Sequence, residues 1–551
     1  MPFTQAMLLN DGRARLCCRS YQDLQVQGNS LSIHHHTLEE IWNSPIYREI
    51  RDQMLAGQIV PACRLCDTVE EEGGTSLRQL MNDSLHLQSL GLANQDDLLA
   101  MVKTMASSDN RILPPRALHL WLGNRCNLKC RMCSPHFSSQ IALDPVHHQW
   151  SGGLAQSEQL LPHYRRGVYY WGWGDCQLKG SQWTRKLASG TAGISFPDQG
   201  GATIGLNLQG WNYGQETLTL SLQNKSGDLS ERALPSGPWQ VHWNLEPKLN
   251  KDNVELVLSL REEGCWVEVD NLTITRQSYG QNGEYEPFCS LLPYPNSWSS
   301  NEEVLEELFR SPQELRLLQF SGGEPLLQHR FYEVLERLIE GGHASQIELY
   351  ISTNGMVYAK KLPTMLKEFR VVELAFSLDG YGALQEYIRY PSQWKLVEKN
   401  IIAYYRAGIR VSIRVTPQAY NIFGLLDLAD WCQRNQFPFY CENILWSPQF
   451  LSLDMLPQVV VNEALKNLLN YKQNNGMNRA LIQQIEAVIL VLKRPRSPLE
   501  QLTELQSQFI DFTKALDSSR SQQLAVACPR LYDQLPYFAN SPHPTVNCPV
   551  I

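Results

Sequence analysis

The stretch Trp121-Leu-Gly-Asn-Arg-Cys126-Asn-Leu-Lys-Cys130-Arg-Met-Cys133 closes an apolar run that begins at Ala117, and its reading decides the fold. Three thiolates at spacings of four and three, just past a strand, suit a soft metal centre. A four-iron cubane held this way keeps one iron without a protein ligand. A zinc site would need a fourth ligand nearby, and His119 and His136 are the candidates.

Outward from this loop, short runs rich in Val, Ile and Leu alternate with amphipathic segments. The expected strands are Ala117–Leu122, Leu315–Phe320, Ile347–Ser352, Val371–Ser377, Val411–Thr416 and Phe439–Leu445. Helical patterns at Phe331–Ile339, Ala359–Phe369, Lys395–Arg406 and Leu425–Asn435 separate most of them. Such alternation predicts an α/β fold with a parallel sheet and right-handed crossovers. Six repeats fit a partial (β/α)6 barrel over 113–149 and 293–456, with chemistry at the C-terminal ends of its strands. Residues 150–292 break the alternation. They are rich in Trp, Tyr and Gly, with strand patterns at Ala202–Leu208, Glu216–Leu222, Val254–Leu260 and Cys265–Thr273, and predict an inserted antiparallel β-sandwich of jelly-roll type. Residues 1–80 form a small cysteine-bearing module, 81–112 a helical connector, and 457–551 a helical C-terminal region.

Composition excludes several classes. The chain has 551 residues, 43% of them apolar, with a net charge of −8 and no long basic run. That combination predicts several globular domains and disfavours nucleic-acid binding. The N-terminal Met-Pro-Phe-Thr-Gln lacks the pattern of an export signal, and the longest apolar runs are too short to span a bilayer, so a soluble cytoplasmic protein is expected. Fourteen cysteines in such a chain point to metal rather than disulfides. Two groups stand out: Cys126, Cys130 and Cys133, and Cys17 and Cys18 with Cys63 and Cys66.

With the cysteine triplet goes Phe320-Ser-Gly322-Gly323-Glu324-Pro325, directly after the second strand. Together the two resemble the signature of the radical S-adenosylmethionine (SAM) superfamily. The resemblance implies a SAM-binding four-iron cluster on Cys126, Cys130 and Cys133. It also implies a SAM contact at Gly322, Gly323, Glu324 and Pro325, where glycines would let backbone carbonyls approach the ligand amino group. Ser352-Thr-Asn354-Gly and Ser377-Leu-Asp379-Gly resemble the family's segments near the SAM ribose and methionyl group. Arg389 lies where the family often carries a site arginine, and Arg414 is a candidate partner for the SAM carboxylate. Met132 departs from the aromatic residue often found before the third cysteine. Upstream, Asp11-Gly12 through Cys17-Cys18, Ile41-Trp-Asn-Ser-Pro45, Gly57 and Cys63-Arg-Leu-Cys66 resemble the SPASM/twitch modules of these enzymes, which hold an auxiliary four-iron cluster. Its ligand set stays open, with Cys17, Cys18, Cys63 and Cys66 as candidates and Cys441, Cys548 or substrate as further ones. The insert holds Trp171, Trp173, Trp183, Trp211, Trp239 and Trp243, which read as sandwich core or a docking surface for protein, or else as platforms for sugar rings. Its segments 169–175 and 267–272 loosely resemble jelly-roll carbohydrate-binding modules.

The resemblance implies an oxidoreductase or transferase that reductively cleaves SAM to a 5′-deoxyadenosyl radical and abstracts hydrogen from a peptide or protein. Two alternatives remain: the same chemistry on a saccharide or glycan-linked substrate recruited by the insert, and a non-catalytic metal-binding adaptor. An electron donor such as a flavodoxin or ferredoxin would be the partner.

Overall fold

A computed structural model describes the chain apart from residues 1, 21–22, 27–28, 34–35, 72, 74–75, 108–113, 135–136, 143, 145, 148–149, 151–160, 163–168, 172–175, 180–181, 189–190, 198–203, 225–227, 246–252, 263, 278–284, 293–297, 301, 442, 475–477 and 536–551. His34, His35, His136, Trp173 and Cys548 lie outside the described residues.

Eight strands form one sheet: β1 (Gln5–Leu8), β2 (Ala14–Arg15), β3 (Ala117–Trp121), β4 (Leu317–Ser321), β5 (Glu348–Thr353), β6 (Val371–Ser377), β7 (Arg410–Arg414) and β8 (Phe439–Tyr440). Their order is β2-β1-β3-β4-β5-β6-β7-β8. All neighbours are parallel except the β1–β2 hairpin, so the alternating pattern is realised as an α/β fold. The N-terminal strand is therefore part of the core sheet: Met7 registers with His119. The hairpin turns at Gly12, whose φ of 79° suits glycine.

Alternate strand residues face opposite sides of the sheet. One side is apolar: Leu118 and Leu120, Leu318 and Phe320, and Leu374 and Phe376 join the main core. Helices α1 (His329–Glu340), α2 (Trp394–Arg406) and α3 (Leu425–Asn435) cover it with Phe331, Ile401 and Leu428. The residues between these on the strands are mostly polar, among them Gln319, Tyr350, Glu373 and Ser412. One side of the sheet is thus a core and the other a polar wall. The last strand is shorter than the expected Phe439–Leu445, because Cys441 N leaves the ladder and donates to Gln484 Oε1 at 3.0 Å. The expected helix over Ala359–Phe369 shortens to Leu362–Leu366.

Between β3 and β4 lie two six-stranded sheets whose strand pairs are antiparallel. Leu220 and Leu258 of one sheet and Leu208, Val241 and Val267 of the other share a single apolar cluster. Trp239 and Trp243 belong to that cluster, so of the two readings these two take the core one. The chain returns to the main sheet through Trp298, fully buried, whose Nε1 donates to Leu9 O at 2.7 Å, and Ser299 Oγ, which donates to Leu122 O at 2.6 Å. Beyond β8 the described chain is helical, ending in α4 (Leu499–Arg520) and two short helices. No helix among the described residues is long and apolar enough to cross a membrane.

Gly210 sits at a bulge between the strands Ile204–Asn212 and Trp266–Gln277, where a Cβ would meet Glu268 O at 1.8 Å. Gly210→Ala should destabilise the inserted sheets by about 1–3 kcal/mol, the usual scale of overpacking. Thermal unfolding followed by tryptophan near-ultraviolet dichroism would show it, and an unchanged midpoint would refute this reading of the bulge.

Candidate functional site

The cysteine loop leaves the C-terminal end of β3 without regular structure of its own, so other segments must hold it. Glu324 N donates to Arg125 O at 2.8 Å. Lys129 N and Arg131 N donate to Tyr390 O and Ile388 O at 2.6 and 2.9 Å. Gly322 and Gly323 have φ of 78° and 58° and press directly on the loop. A Cβ on Gly323 would meet Arg125 O at 2.6 Å and Gly123 O at 2.8 Å, and one on Gly322 would meet Trp121 Cβ at 2.8 Å. Close packing against the cysteine loop is thus one reason for the paired glycines.

Glu324 joins neighbouring strand ends. Its carboxylate is fully buried and accepts from Thr353 Oγ1 at 2.8 Å, Asn354 N at 2.7 Å and Leu326 N at 3.2 Å. It ties the ends of β4 and β5 together and does not face a cleft. Pro325 starts a short turn beside it and is buried. Asp379 is likewise fully buried: Oδ2 pairs with Arg389 Nε at 2.6 Å, and Oδ1 accepts from Thr416 N at 2.9 Å. Arg389 then reaches the loop, its Nη1 3.9 Å from Cys130 Sγ. Asn354 Nδ2 is 3.9 Å from Cys126 Sγ and donates to Asn127 Oδ1 at 2.7 Å. Ser352 and Ser377 end β5 and β6 half-buried.

Arg414 has another partner than the one expected. Its Nη2 lies 3.1 Å from Glu373 Oε1, and its guanidinium stacks 3.7 Å over the Tyr440 ring. Ser412 Oγ donates to the same Glu373 oxygen. Glu373, Tyr350 and Tyr440 were missed in the sequence, although a lone Glu inside Val371-Val-Glu-Leu-Ala-Phe marks a strand face that is not core. His119 is buried on that wall, where Trp121 Nε1 donates to its Nε2 at 3.1 Å and Ser321 Oγ meets the same nitrogen. Burial pushes His119 down to about 4.

The three loop thiols fit a cluster. Burial first, and the neighbouring thiols next, push Cys126 up to about 12 and Cys133 well above the ordinary thiol range. Buried thiols in this state ionise only when a metal charge compensates them. Arg389 and, more distantly, Arg520 act on Cys130 in the same direction as such a charge. Among the described residues no three His, Cys, Asp or Glu side chains converge on one metal-ion position. A cubane instead places each thiolate on its own iron.

A second group lies upstream in the sequence. Cys17, Cys63 and Cys66 line one open cavity of about 240 Å³, together with Arg78 and Met54. Cys63 is pushed up to about 11 by burial and then by Cys17 and Cys66. Cys18 is exposed and is not part of this lining, so Cys17, Cys63 and Cys66 are the three candidates that share it. Cys441 follows β8, at the opposite edge of the sheet, and its thiol donates to Gln484 O at 3.1 Å.

Residues 287–431 match the family model of the radical SAM superfamily, and residues 1–67 that of an iron–sulfur cluster-binding domain, SPASM. The chain carries a radical SAM domain. Its cofactors are a four-iron cluster and SAM, with an auxiliary iron–sulfur cluster belonging to the N-terminal domain. The radical SAM match begins within the last strand of the inserted sheets, so Cys126, Cys130 and Cys133 lie outside it. Among solved structures, anSMEcpe with bound AdoMet is similar at 18% identity and a TM-score of 0.28, over 32% of this chain and 53% of that one. Streptococcus suis SuiB bound to S-adenosylmethionine is similar at 17% identity and a TM-score of 0.25, over 34% and 42%. Exo-beta-1,3-galactanase from Phanerochaete chrysosporium with galactose follows at 11% identity and a TM-score of 0.16, over 18% and 26%. The chain thus spans about half the length of the first of these or less. No curated protein matches it.

Two outcomes are expected. Anaerobically reconstituted protein should hold about eight irons, the sum of two four-iron clusters. Cys17→Ser should lose the auxiliary share while Cys18→Ser keeps it; equal losses in both would undo the assignment by cavity. The second concerns Glu324, whose carboxyl is held up at about 7 by burial, against three hydrogen bonds that lower it. Between the ordinary carboxyl range and about pH 7 the folded chain keeps a proton that the unfolded chain has lost, so this group makes stability fall as pH rises through that window. Glu324→Gln should flatten that slope relative to wild type. Glu324→Ala, which strands three donors, should cost about 1–3 kcal/mol, read from denaturant midpoints at several pH values.

Proposed function

We infer that the chain is an enzyme that cleaves SAM reductively at a cluster held by Cys126, Cys130 and Cys133 and uses the adenosyl radical to abstract hydrogen from a peptide or protein substrate. The observation that carries this reading is the convergence at the strand ends: the cysteine loop is packed on Gly322-Gly323, with Arg389 and Asn354 each 3.9 Å from a loop thiol. When bound, the cluster supplies one electron to SAM, chemistry that no side chain performs. The chain's own residues have other work. Arg389 places a fixed cation beside Cys130, and Asp379 fixes that cation in turn. The half-exposed ends of β5 and β6, at Ser352 and Ser377, offer hydroxyls for the SAM ribose.

The polar wall of the sheet is where substrate would lie, in a partial barrel formed by β3 to β8. Glu373 and Arg414 together offer an acceptor and several donors, which a peptide backbone, itself carrying both, can satisfy. Tyr350 and Tyr440 flank the Arg414 guanidinium at 5.4 and 3.7 Å and would exclude water from one side. The cavity of Cys17, Cys63 and Cys66 would hold the auxiliary cluster as an electron acceptor or donor. The N-terminal module, the split barrel, the inserted sandwich and the helical C-terminal region are read as the units of this design.

Reduced, reconstituted protein should form 5′-deoxyadenosine, and Cys126→Ala/Cys130→Ala/Cys133→Ala should not. Glu373→Ala and Arg414→Ala should keep peptide-independent SAM cleavage within about twofold, but lower kcat/KM for the peptide at least tenfold, about 1.4 kcal/mol of transition-state stabilisation. Loss of SAM cleavage in both variants would instead place the pair at SAM. Wild-type protein that forms no 5′-deoxyadenosine would favour the adaptor reading.

A further inference from the structure

The outer face of one inserted sheet carries an arrangement that the radical chemistry does not use. The bulge at Gly210 shifts the register of the strand Ile204–Asn212 against Trp266–Gln277, and beyond it Trp211 and Tyr213 point outward, 44% and 53% exposed. Trp266, on the neighbouring strand, is 36% exposed. The three rings form a row: Trp211 and Tyr213 have centroids 6.1 Å apart at 41°, and Tyr213 and Trp266 5.6 Å apart at 39°. Beneath them lies Glu268, only 3% exposed, whose Oε2 accepts from Tyr213 Oη at 2.8 Å. The row continues along the same face in uncharged polar groups. Gln209 registers with Gln240 and Asn207 with His242, and the His242 ring nitrogens meet Asn207 Oδ1 and Asn244 Oδ1, both at 2.6 Å.

We propose that this face binds a saccharide chain, with pyranose rings stacked on Trp211, Tyr213 and Trp266 and hydroxyls held by the amide row. The chemistry selects this ligand class. A sugar ring presents apolar C–H faces to an aromatic plane, while its hydroxyls both donate and accept, as carboxamides do. A nucleic acid would require Lys or Arg to neutralise phosphates, and none of the side chains named here is either. A lipid surface or an apolar protein core would want a continuous apolar patch, and here amides interleave the rings. The ordered row suits a linear chain of several sugar units, because successive rings meet successive platforms. The assignment stands apart from the peptide reading of the barrel: it concerns what the inserted sheets hold, and through them where the enzyme acts.

The test uses the full reconstituted chain on an array of defined neutral and uronic-acid oligosaccharides of two to eight units. The strongest binder is then titrated by tryptophan fluorescence. Saturable binding is expected, weakened at least tenfold by Trp211→Ala and by Trp266→Ala. Tyr213→Phe keeps the ring but loses the tie to Glu268, and should weaken binding about threefold. 5′-Deoxyadenosine formation should be unchanged in all three. If a tryptophan variant fails to fold, Gln240→Ala/His242→Ala, exposed and polar, takes its place with the same expected loss. The proposal is overturned if the wild type retains no oligosaccharide, or if the variants bind as the wild type does. It is also overturned if these variants lose binding of the peptide substrate while oligosaccharide binding stays intact. Loss of SAM cleavage in wild-type protein would bear on the proposed function alone.

Discussion

Everything at the strand ends depends on how closely Gly323 can lie against the cysteine loop. Three backbone groups of that loop, Gly123 O, Arg125 O and Asn124 C, stand within 3.0 Å of where a Cβ would be. Only a residue without one lets Glu324 N reach Arg125 O. Once that bond is made, the Glu324 carboxylate falls between Thr353 and Asn354 and fixes the next strand end. Asn354 then stands beside Cys126. One steric allowance thus propagates through three strands, and the thiols inherit their placement from it.

A second brace comes from the C-terminal helix. Arg131, between the second and third loop cysteines, is fully buried and pairs with Asp517 of α4 at 2.6 Å, while stacking 3.7 Å over Tyr387. Tyr387 Oη donates to the same carboxylate at 2.8 Å. Arg520, one turn on, reaches His147 Nδ1 at 2.9 Å and so touches the segment that leads into the inserted sheets. A buried ion pair of this kind adds little net stability but is costly to break on one side only. Its effect here is positional, since it locks a loop with no ladder of its own.

The cysteine spacing and the strand–helix alternation made the core legible, and the observed strands start within two residues of the expected ones. What escaped was set by partners distant in sequence. Glu324 reads as a ligand acceptor until Thr353 and Asn354, some thirty residues on, are seen to occupy it. Arg414 reads as a free cation until Glu373 is placed beside it on the adjacent strand. Other placements carried a local signal. Cys17 and Cys18 sit in a turn closed by Ser20 N on Cys17 O at 3.1 Å, which buries the first and exposes the second. Neighbouring residues of an extended chain point to opposite sides, which sends Trp239, Val241 and Trp243 inward together. Trp211 obeys the same rule from the other side: in phase with Asn207 and Gln209, it faces outward while Leu206 and Leu208 face the apolar cluster.

The parallel pairing of β1 with β3 has a consequence for how the chain acquires its shape. Residues 5–8 are made first, yet their ladder partner follows about a hundred residues later, and β3 in turn waits for β4 across about 195 more. Both flanks of β3 are therefore long-range closures, the slow kind in folding. Loop length itself adds little, about 0.6 kcal/mol for each doubling, so the inserted sheets scarcely burden the equilibrium. Their weight falls on timing. At the ribosome they emerge whole, with their own apolar cluster, while β3 still lacks one neighbour, and the sheet that carries the cysteine loop closes around them last.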